Sequence, residues 1–367
     1  YYADLVETLK TNPESFTKDV VRGQYFWHNK NTEKEMKFNA IVGNPPYQVM
    51  DGGAQASATP VYHHFVDVAK RIAPTYFTLI MPARWYSGGR GLDEFRDAML
   101  NDVHICKLDD FMNPEIVFPG TNIRSGVCYF LWDQNYNNNV SRVQVVNHGI
   151  NGIENNVQRP MKFEGIETFI RDARSLSIIQ KVKTSSIDFF VDHVSPLRPF
   201  GFRGYFVNDI NYHKDKSVLK KPVLCYGKGL LEGFVERELV TVHNEWIDNW
   251  KVMIPRANNI ATELNDDNLN SIVCAPNCIC TESYLIVGAE LNLDKVQCEN
   301  ICSYFKTRFA RFMHSLAKSS QDATSKTFQF VPLQDFSEPW TDEKLYAKYG
   351  ITPDEQAYVE SLIKPME

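Results

Sequence analysis

Four consecutive residues, Asn44-Pro45-Pro46-Tyr47, bring together a side-chain amide, two rigid imide rings and an aromatic ring. Neither proline has an N–H, and both hold φ at roughly −65°. The turn they make is therefore extended and stiff. An amide oxygen and a backbone carbonyl held side by side accept hydrogen bonds from a planar amino group in its plane. A fixed ring can stack on its face. The chemistry this suits is binding, and reaction at, an exocyclic or amide nitrogen. The alternative is plain: Asn-Pro starts many turns, and NPPY could be no more than a Pro-rich turn after an edge strand.

A reactive turn has to be held by rigid elements. Phe38 to Val42, FNAIV, is a short apolar run that reads as a buried strand, and Gly43 follows it. The double proline must end it, because proline cannot donate to a ladder. Beyond a small-residue loop, Asp51 to Ala58, Thr59 and Pro60 read as the N-cap and first position of a helix. Phe65, Val68, Ala69 and Ile72 give that helix one apolar face. Pro74 stops it. Tyr76 to Met81 reads as a buried strand, the turn Ser87 to Gly91 leads to a helix with Leu92, Phe95 and Met99, and His104 to Leu108 reads as the next strand. A sharp turn at Ile116 to Gly120 precedes a strong strand, Ser125 to Trp132, and Val143 to Val146 reads as a further strand. The expected fold class is α/β: strands alternating with helices, the C-terminal half of a doubly wound Rossmann-like sheet closed by an antiparallel edge hairpin.

A strand-end NPPY resembles motif IV of the S-adenosylmethionine-dependent amino-methyltransferases. The order of elements after it is similar to the gamma class of DNA adenine-N6 methyltransferases. IVFPGTNIRSGVCYFLW, Ile116 to Trp132, resembles that family's late hairpin, and FQFVPLQDFSEPWTDEKLYAKYGIT near the end resembles the restriction-modification methylases of the Eco57I type. The resemblance implies methyl transfer to adenine N6, with Asn44, Pro45, Pro46 and Tyr47 as the catalytic turn. It implies that Tyr47 and Phe118 stack on a base flipped out of double-stranded DNA, and that S-adenosyl-L-methionine is the cofactor. The same motif also serves protein-glutamine and ribosomal-RNA methyltransferases, and a non-catalytic DNA-specificity fragment is a third reading.

One part of the family pattern is missing. The acidic-Gly-x-Gly loop that cradles the cofactor should come well before motif IV, and the 43 residues preceding Asn44 contain no such loop. The expectation is that the cofactor half lies upstream of Tyr1 or on another polypeptide, with a nuclease domain or restriction subunit as a further partner. Tyr1 to Asn31 opens as a helix and carries no assignable role.

The composition is that of a soluble globular protein: 367 residues, 43% hydrophobic and 23% charged, enough for two domains. No apolar run approaches the roughly 20 residues that span a membrane. Eight cysteines without a secretory signal read as reduced cytoplasmic thiols. The formal charge of −6 argues mildly against nucleic acid, but a local basic face can still bind phosphates.

The expected domains are a partial methyltransferase domain over 1–150, an α+β target-recognition domain over 165–340 and a helical segment over 341–367, with a polar Asn-rich linker from Ile150 to Pro160. Aromatic and basic residues mix around Phe200, Phe202, Arg203, Tyr205, Tyr226 and Lys228. Residues 295–318 read as one helix with Cys298, Cys302, Phe305, Phe309, Phe312 and Leu316 on its apolar stripe, leaving Arg308, Arg311, His314 and Lys318 outside it. Arg203, Lys228, Arg308, Arg311, Lys318 and Lys326 are the candidate DNA-binding cations. Cys298 and Cys302 fall on a helix's core stripe, and Cys278-Ile279-Cys280 alternates in a strand-like run, so Cys274, Cys278 and Cys280 read with them as reduced core cysteines and no metal is expected. Thr352-Pro353-Asp354-Glu355 has the form of a capping box.

Overall fold

Alternation in YFTLIMP points Phe77, Leu79 and Met81 into one core, and the run forms strand β4 (Tyr76–Pro82) at the heart of the first unit. The computed structural model describes residues 2–22, 37–50, 58–89, 91–121, 123, 125–258, 268–318, 322–364 and 366. These fall into two compact units, 1–172 and 173–367. The small-residue loop at 51–57 and part of the polar loop at 319–321 lie outside the described residues.

In the first unit, helices α1 (Tyr2–Thr11) and α2 (Pro13–Arg22) precede strand β1 (Ala40–Gly43). Then come a small hairpin, β2 (Gln48–Met50) and β3 (Ala58–Pro60), helix α3 (Tyr62–Ile72), β4, and helix α4 (Asp93–Leu100). Strands β5 (Ile105–Phe111) and β6 (Val127–Asp133), a short helix α5 (Asn138–Ser141), and strands β7 (Val143–Gly149) and β8 (Gly152–Arg159) complete it. Six strands make one mixed sheet in the order β1-β4-β6-β5-β7-β8. β1 runs parallel to β4 and β5 parallel to β7, whereas β6 is antiparallel to both of its neighbours. Tyr62, Val66 and Ala69 of α3, and Phe95 and Met99 of α4, pack with Phe77, Leu79, Leu108 and Phe130 in one core.

Four expectations are corrected here. Thr59 and Pro60 do not cap a helix: they pair with Val49 and Gln48 in the β2–β3 hairpin. Helix α3 starts after Val61, which offers no side-chain cap; its N–H donates to the Tyr47 carbonyl at 3.1 Å instead. The strand before the NPPY turn begins at Ala40 and is an edge, not a buried strand. Its Val42 is 81% exposed, and among the described residues no strand pairs with its outer side. The antiparallel strand Val127–Asp133 is inserted between two parallel-running neighbours, and the edge hairpin is β7–β8. The expected linker at 150–160 is therefore mostly strand β8. Its polar residues lie on the solvent side of an edge, which is why the stretch looks like a loop in sequence.

The second unit opens with α6 (Ala173–Ser185). Its strands are β9 (Pro222–Gly227), β10 (Leu231–Glu236), β11 (Lys251–Pro255), β12 (Ile272–Cys274), β13 (Cys278–Cys280) and β14 (Tyr284–Val287). They form two three-stranded sheets, β10-β9-β13 and β12-β11-β14. Phe200, Val223, Cys225, Val235, Ile247, Met253, Ile279 and Ile286 share its core. The expected single helix over 295–318 is two, α7 (Lys295–Tyr304) and α8 (Arg308–Ser315). Thr307 breaks the run because its hydroxyl accepts from the Ala310 N–H at 3.1 Å and starts a new helix. The second half is buried all round, from Phe309 to His314. Arg311 and His314, expected outside the apolar stripe, are 1% and 0% exposed. Helices α9 (Asp342–Tyr349) and α10 (Pro353–Leu362) both pack on α8. The Thr352–Glu355 capping box forms as read, the carboxylate accepting from the Thr352 N–H at 2.8 Å.

Candidate active site

β1 delivers the chain to the end of the sheet at Gly43, and the next two prolines carry it away from the ladder. Pro45 is buried and anchors the turn, Pro46 and Tyr47 are half-buried, and Asn44 is exposed. The turn is closed on its far side by the Val61 N–H at the foot of α3.

Tyr47 and Phe118, 71 positions apart in sequence, meet at this end of the sheet. Their ring centroids are 6.5 Å apart and the planes make 69°, an edge-to-face arrangement. Phe118 stands in the loop between β5 and β6. A short 3₁₀ turn, Pro114–Ile116, opens that loop, capped by the Asn113 side chain, which accepts from the Glu115 N–H at 3.0 Å. The Phe118 N–H donates to the Pro114 carbonyl at 2.8 Å, and its own carbonyl accepts from the Thr121 hydroxyl at 2.7 Å. The loop closes at Gly126, whose φ is +72°. A Cβ there would stand 2.3 Å from the Phe111 carbonyl, so only glycine fits.

The tyrosine hydroxyls at this end are buried. Burial, helped by Cys128, pushes the Tyr47 phenol up to about 12. The Tyr62 and Tyr86 phenols are also held well above their ordinary range, chiefly by burial. Tyr47 is therefore neutral at working pH, a ring and not a base. Cys128 accepts from the Trp85 indole N–H at 3.4 Å, and burial holds its thiol protonated, up to about 12.

The sequence reading missed the acidic pair inside β5. Asp109 and Asp110 are 1% and 2% exposed, on opposite faces of the strand. Asp109 accepts from His148 at 2.8 Å and pairs with Lys107 at 3.0 Å. Asp110 accepts from the Asn147 amide at 3.3 Å and faces the Arg171 guanidinium at 3.8 Å. Two adjacent carboxylates in an apolar strand were a visible signal, since buried charges need partners. The partners themselves lie too far along the chain for spacing to reveal.

In the second unit the six candidate cations separate. Arg203, Lys228 and Lys326 are exposed. Arg308 is half-buried and pairs with Glu360 at 3.3 Å. Arg311 is interior, donating to the Lys364 carbonyl at 2.8 Å and to the Thr307 carbonyl at 3.3 Å. Lys318 donates to the Asn258 carbonyl at 3.0 Å, and burial lowers its ammonium to about 7. The aromatic residues near Arg203 are mostly core: Phe200 is buried, and Phe202 stacks on Phe206 at 4.2 Å. Cys274, Cys278, Cys280 and Cys298 are buried thiols. Among the described residues no three His, Cys, Asp or Glu side chains group as a metal site. Nor is any helix among them long and apolar enough to cross a membrane.

Residues 1–118 match the Eco57I restriction-modification methylase family. The chain is 34% identical over 104 residues to an uncharacterized adenine-specific methylase of Mycoplasma pneumoniae, a stretch covering 28% of this chain and 25% of that protein. It is also similar to the type IIL restriction-modification enzyme MmeI, solved in complex with DNA, at 9% identity over 88% of this chain and 53% of that one, with a TM-score of 0.42. A likeness to the type IIG restriction endonuclease BpuSI covers 88% of this chain and 48% of that one, at 12% identity and a TM-score of 0.33. The chain thus spans about a quarter of the curated relative and half of these structures. The first third of the chain, with its NPPY turn, is similar in sequence to the Eco57I restriction-modification methylases over residues 1–118.

Proposed function

We propose that this chain is the catalytic-turn portion and the target-recognition portion of a DNA adenine-N6 methyltransferase from a restriction-modification system. The observation that carries the reading is the geometry of the turn. An exposed Asn44, a buried Pro45 and a Tyr47 ring set against Phe118 stand together at one end of a mixed sheet.

The adenine amino group is a poor nucleophile, because its lone pair is delocalised into the ring. In this reading the Asn44 amide oxygen and the Pro45 carbonyl accept its two N–H bonds. That favours a pyramidal nitrogen with its lone pair directed out of the ring plane. The contribution is positioning and electrostatic preorganisation, and no strong base is needed. The target base must first leave the duplex, and Tyr47 and Phe118 form the aromatic walls that receive it. In this reading the exposed Arg203, Lys228 and Lys326 of the second unit meet backbone phosphates.

S-adenosyl-L-methionine would supply an electrophilic methyl group. The described residues fit the acceptor side of that transfer and not a cofactor cradle. No glycine-rich turn precedes β1 among them, and the outer side of β1 has no strand beside it. In this reading the cradle comes from outside the described residues. This chain alone is accordingly expected to bind S-adenosylmethionine weakly or not at all. Titration calorimetry on residues 1–367 checks this, and low-micromolar binding would overturn it.

The function itself is tested with methyl-labelled S-adenosylmethionine and duplex DNA in a cofactor-competent form of the enzyme. Label is expected on adenine N6 after digestion to nucleosides. Label on a glutamine side chain or on RNA, with none on DNA, would replace this reading.

A further inference from the structure

We propose that Arg171 is a positioning residue that latches the β5–β6 loop and so sets Phe118 against Tyr47. The inference rests on the base-stacking role proposed above. The latch itself stands on geometry alone.

The residues 169–171 are fixed on the first unit. The Phe169 N–H donates to the Tyr86 carbonyl at 2.9 Å, and the Phe169 ring is buried. Arg159 donates to the carbonyls of Ile170 and Arg171, the latter at 3.3 Å, with its guanidinium 4.6 Å over the Phe169 ring. From this base the Arg171 side chain reaches three groups. It donates to the Ser125 carbonyl, lies 5.0 Å over the Tyr86 ring, and faces the Asp110 carboxylate at 3.8 Å.

Ser125 is the last residue before Gly126, where the loop rejoins the sheet. Gly126 is itself pinned, its carbonyl accepting from the Ala83 N–H at 3.0 Å. The start of the loop is fixed as well, because Asp110 lies one residue before the end of β5. Arg171 thus ties the outgoing foot of the loop, through Ser125, to the incoming strand, through Asp110. Asp110 is 2% exposed, and one of its oxygens makes no hydrogen bond among the described residues. A buried carboxylate in that state depends on the nearby cation. Phe118 sits between the two feet, and its contact with Tyr47 is the only aromatic contact it makes among the described residues. Loosening one foot would let the Phe118 ring leave the wall while the sheet stays folded.

Arg171→Gln alone would take a cation from the buried Asp110 carboxylate, which keeps the Asn147 amide, and could unfold the unit. The test therefore uses Asp110→Asn/Arg171→Gln in the full chain, with Arg171→Lys as the conservative variant. Hydrogen exchange of amides 113–121 is read against that of β5 and β6. The double variant should exchange about tenfold faster in the loop, with the strands unchanged. Arg171→Lys should recover part of the protection. Equal loop exchange in variant and parent overturns the latch, and so does a general rise through β5 and β6, which would make Arg171 a support of the whole sheet.

The link to Phe118 is read in the cofactor-competent enzyme. The double variant should slow single-turnover methylation about tenfold, with DNA affinity within about twofold of the parent. Added to Phe118→Ala it should cost nothing further, because both changes remove the same wall. Additive losses overturn the route through Phe118. A loosened loop in a protein that transfers no methyl group to adenine sinks the functional reading and leaves the latch standing.

Discussion

Asn44→Ala is expected to slow methyl transfer by about 10²- to 10³-fold, the loss typical when one preorganised hydrogen-bonding group is removed from a reacting centre. Duplex affinity should stay near that of the parent enzyme. Asn44 is exposed at the mouth of the turn, so its removal opens no cavity and should not destabilise the unit. In the proposed reading the main affinity for DNA comes from cations on backbone phosphates, and Asn44 carries no charge. Single-turnover transfer of labelled methyl, set beside anisotropy with a fluorescent duplex, separates the two effects. A variant with near-normal turnover would remove Asn44 from the chemistry. A variant with lost affinity and normal turnover on saturating DNA would make it a DNA contact.

Local rules made the core of the first unit readable. Alternation in YFTLIMP and apolar continuity in VCYFLW are short-range signals, and each marks a strand that forms. The turn itself was legible because two prolines restrict the backbone whatever surrounds them. Pairing partners were not, because a strand carries no label for its neighbour. The insertion of Val127–Asp133 between β4 and β5, and the exposure of Val42 on an outer edge, depend on how the whole sheet assembles. Thr59-Pro60 misled for a related reason. Both residues suit a helix start, but pairing with Gln48 and Val49 wins and moves the start to Tyr62.

The basic helix shows the limit of periodicity. The rhythm from Cys298 to Leu316 assumes an unbroken register. Thr307 ends that register, and the new helix is buried all round: Phe309 and Phe312 keep their place inside, and Arg311 and His314 join them. Arg311 then meets carbonyls of Thr307 and Lys364, the latter far along the chain. Of the two aromatic residues assigned to one wall, Tyr47 and Phe118, neither signals the other by spacing. Their meeting at 6.5 Å follows from the strand order, which returns the β5–β6 loop to the end where β1 stops.

Replacing Tyr47 should separate the face of the ring from its hydroxyl. The ring follows two prolines directly, so its direction is largely set before a base arrives, and stacking then costs little entropy. The hydroxyl is buried and makes no hydrogen bond among the described residues. Burial also keeps it protonated, its pKa raised to about 12. Tyr47→Phe therefore removes a group with no partner to lose and no proton to exchange, and its rate should stay near the parent's. Tyr47→Ala removes the stacking face and the edge contact with Phe118 together. Base–aromatic stacking is worth roughly 1–3 kcal/mol, so capture of an extruded adenine should weaken about tenfold or more. Fluorescence of 2-aminopurine at the target position is a poor judge, because extrusion raises it while stacking on Tyr47 quenches it. Single-turnover methylation of the three proteins on one duplex decides the matter. Equal rates for Tyr47→Ala and Tyr47→Phe would leave Tyr47 as a packing residue behind the turn and shift the stacking role to Phe118 alone.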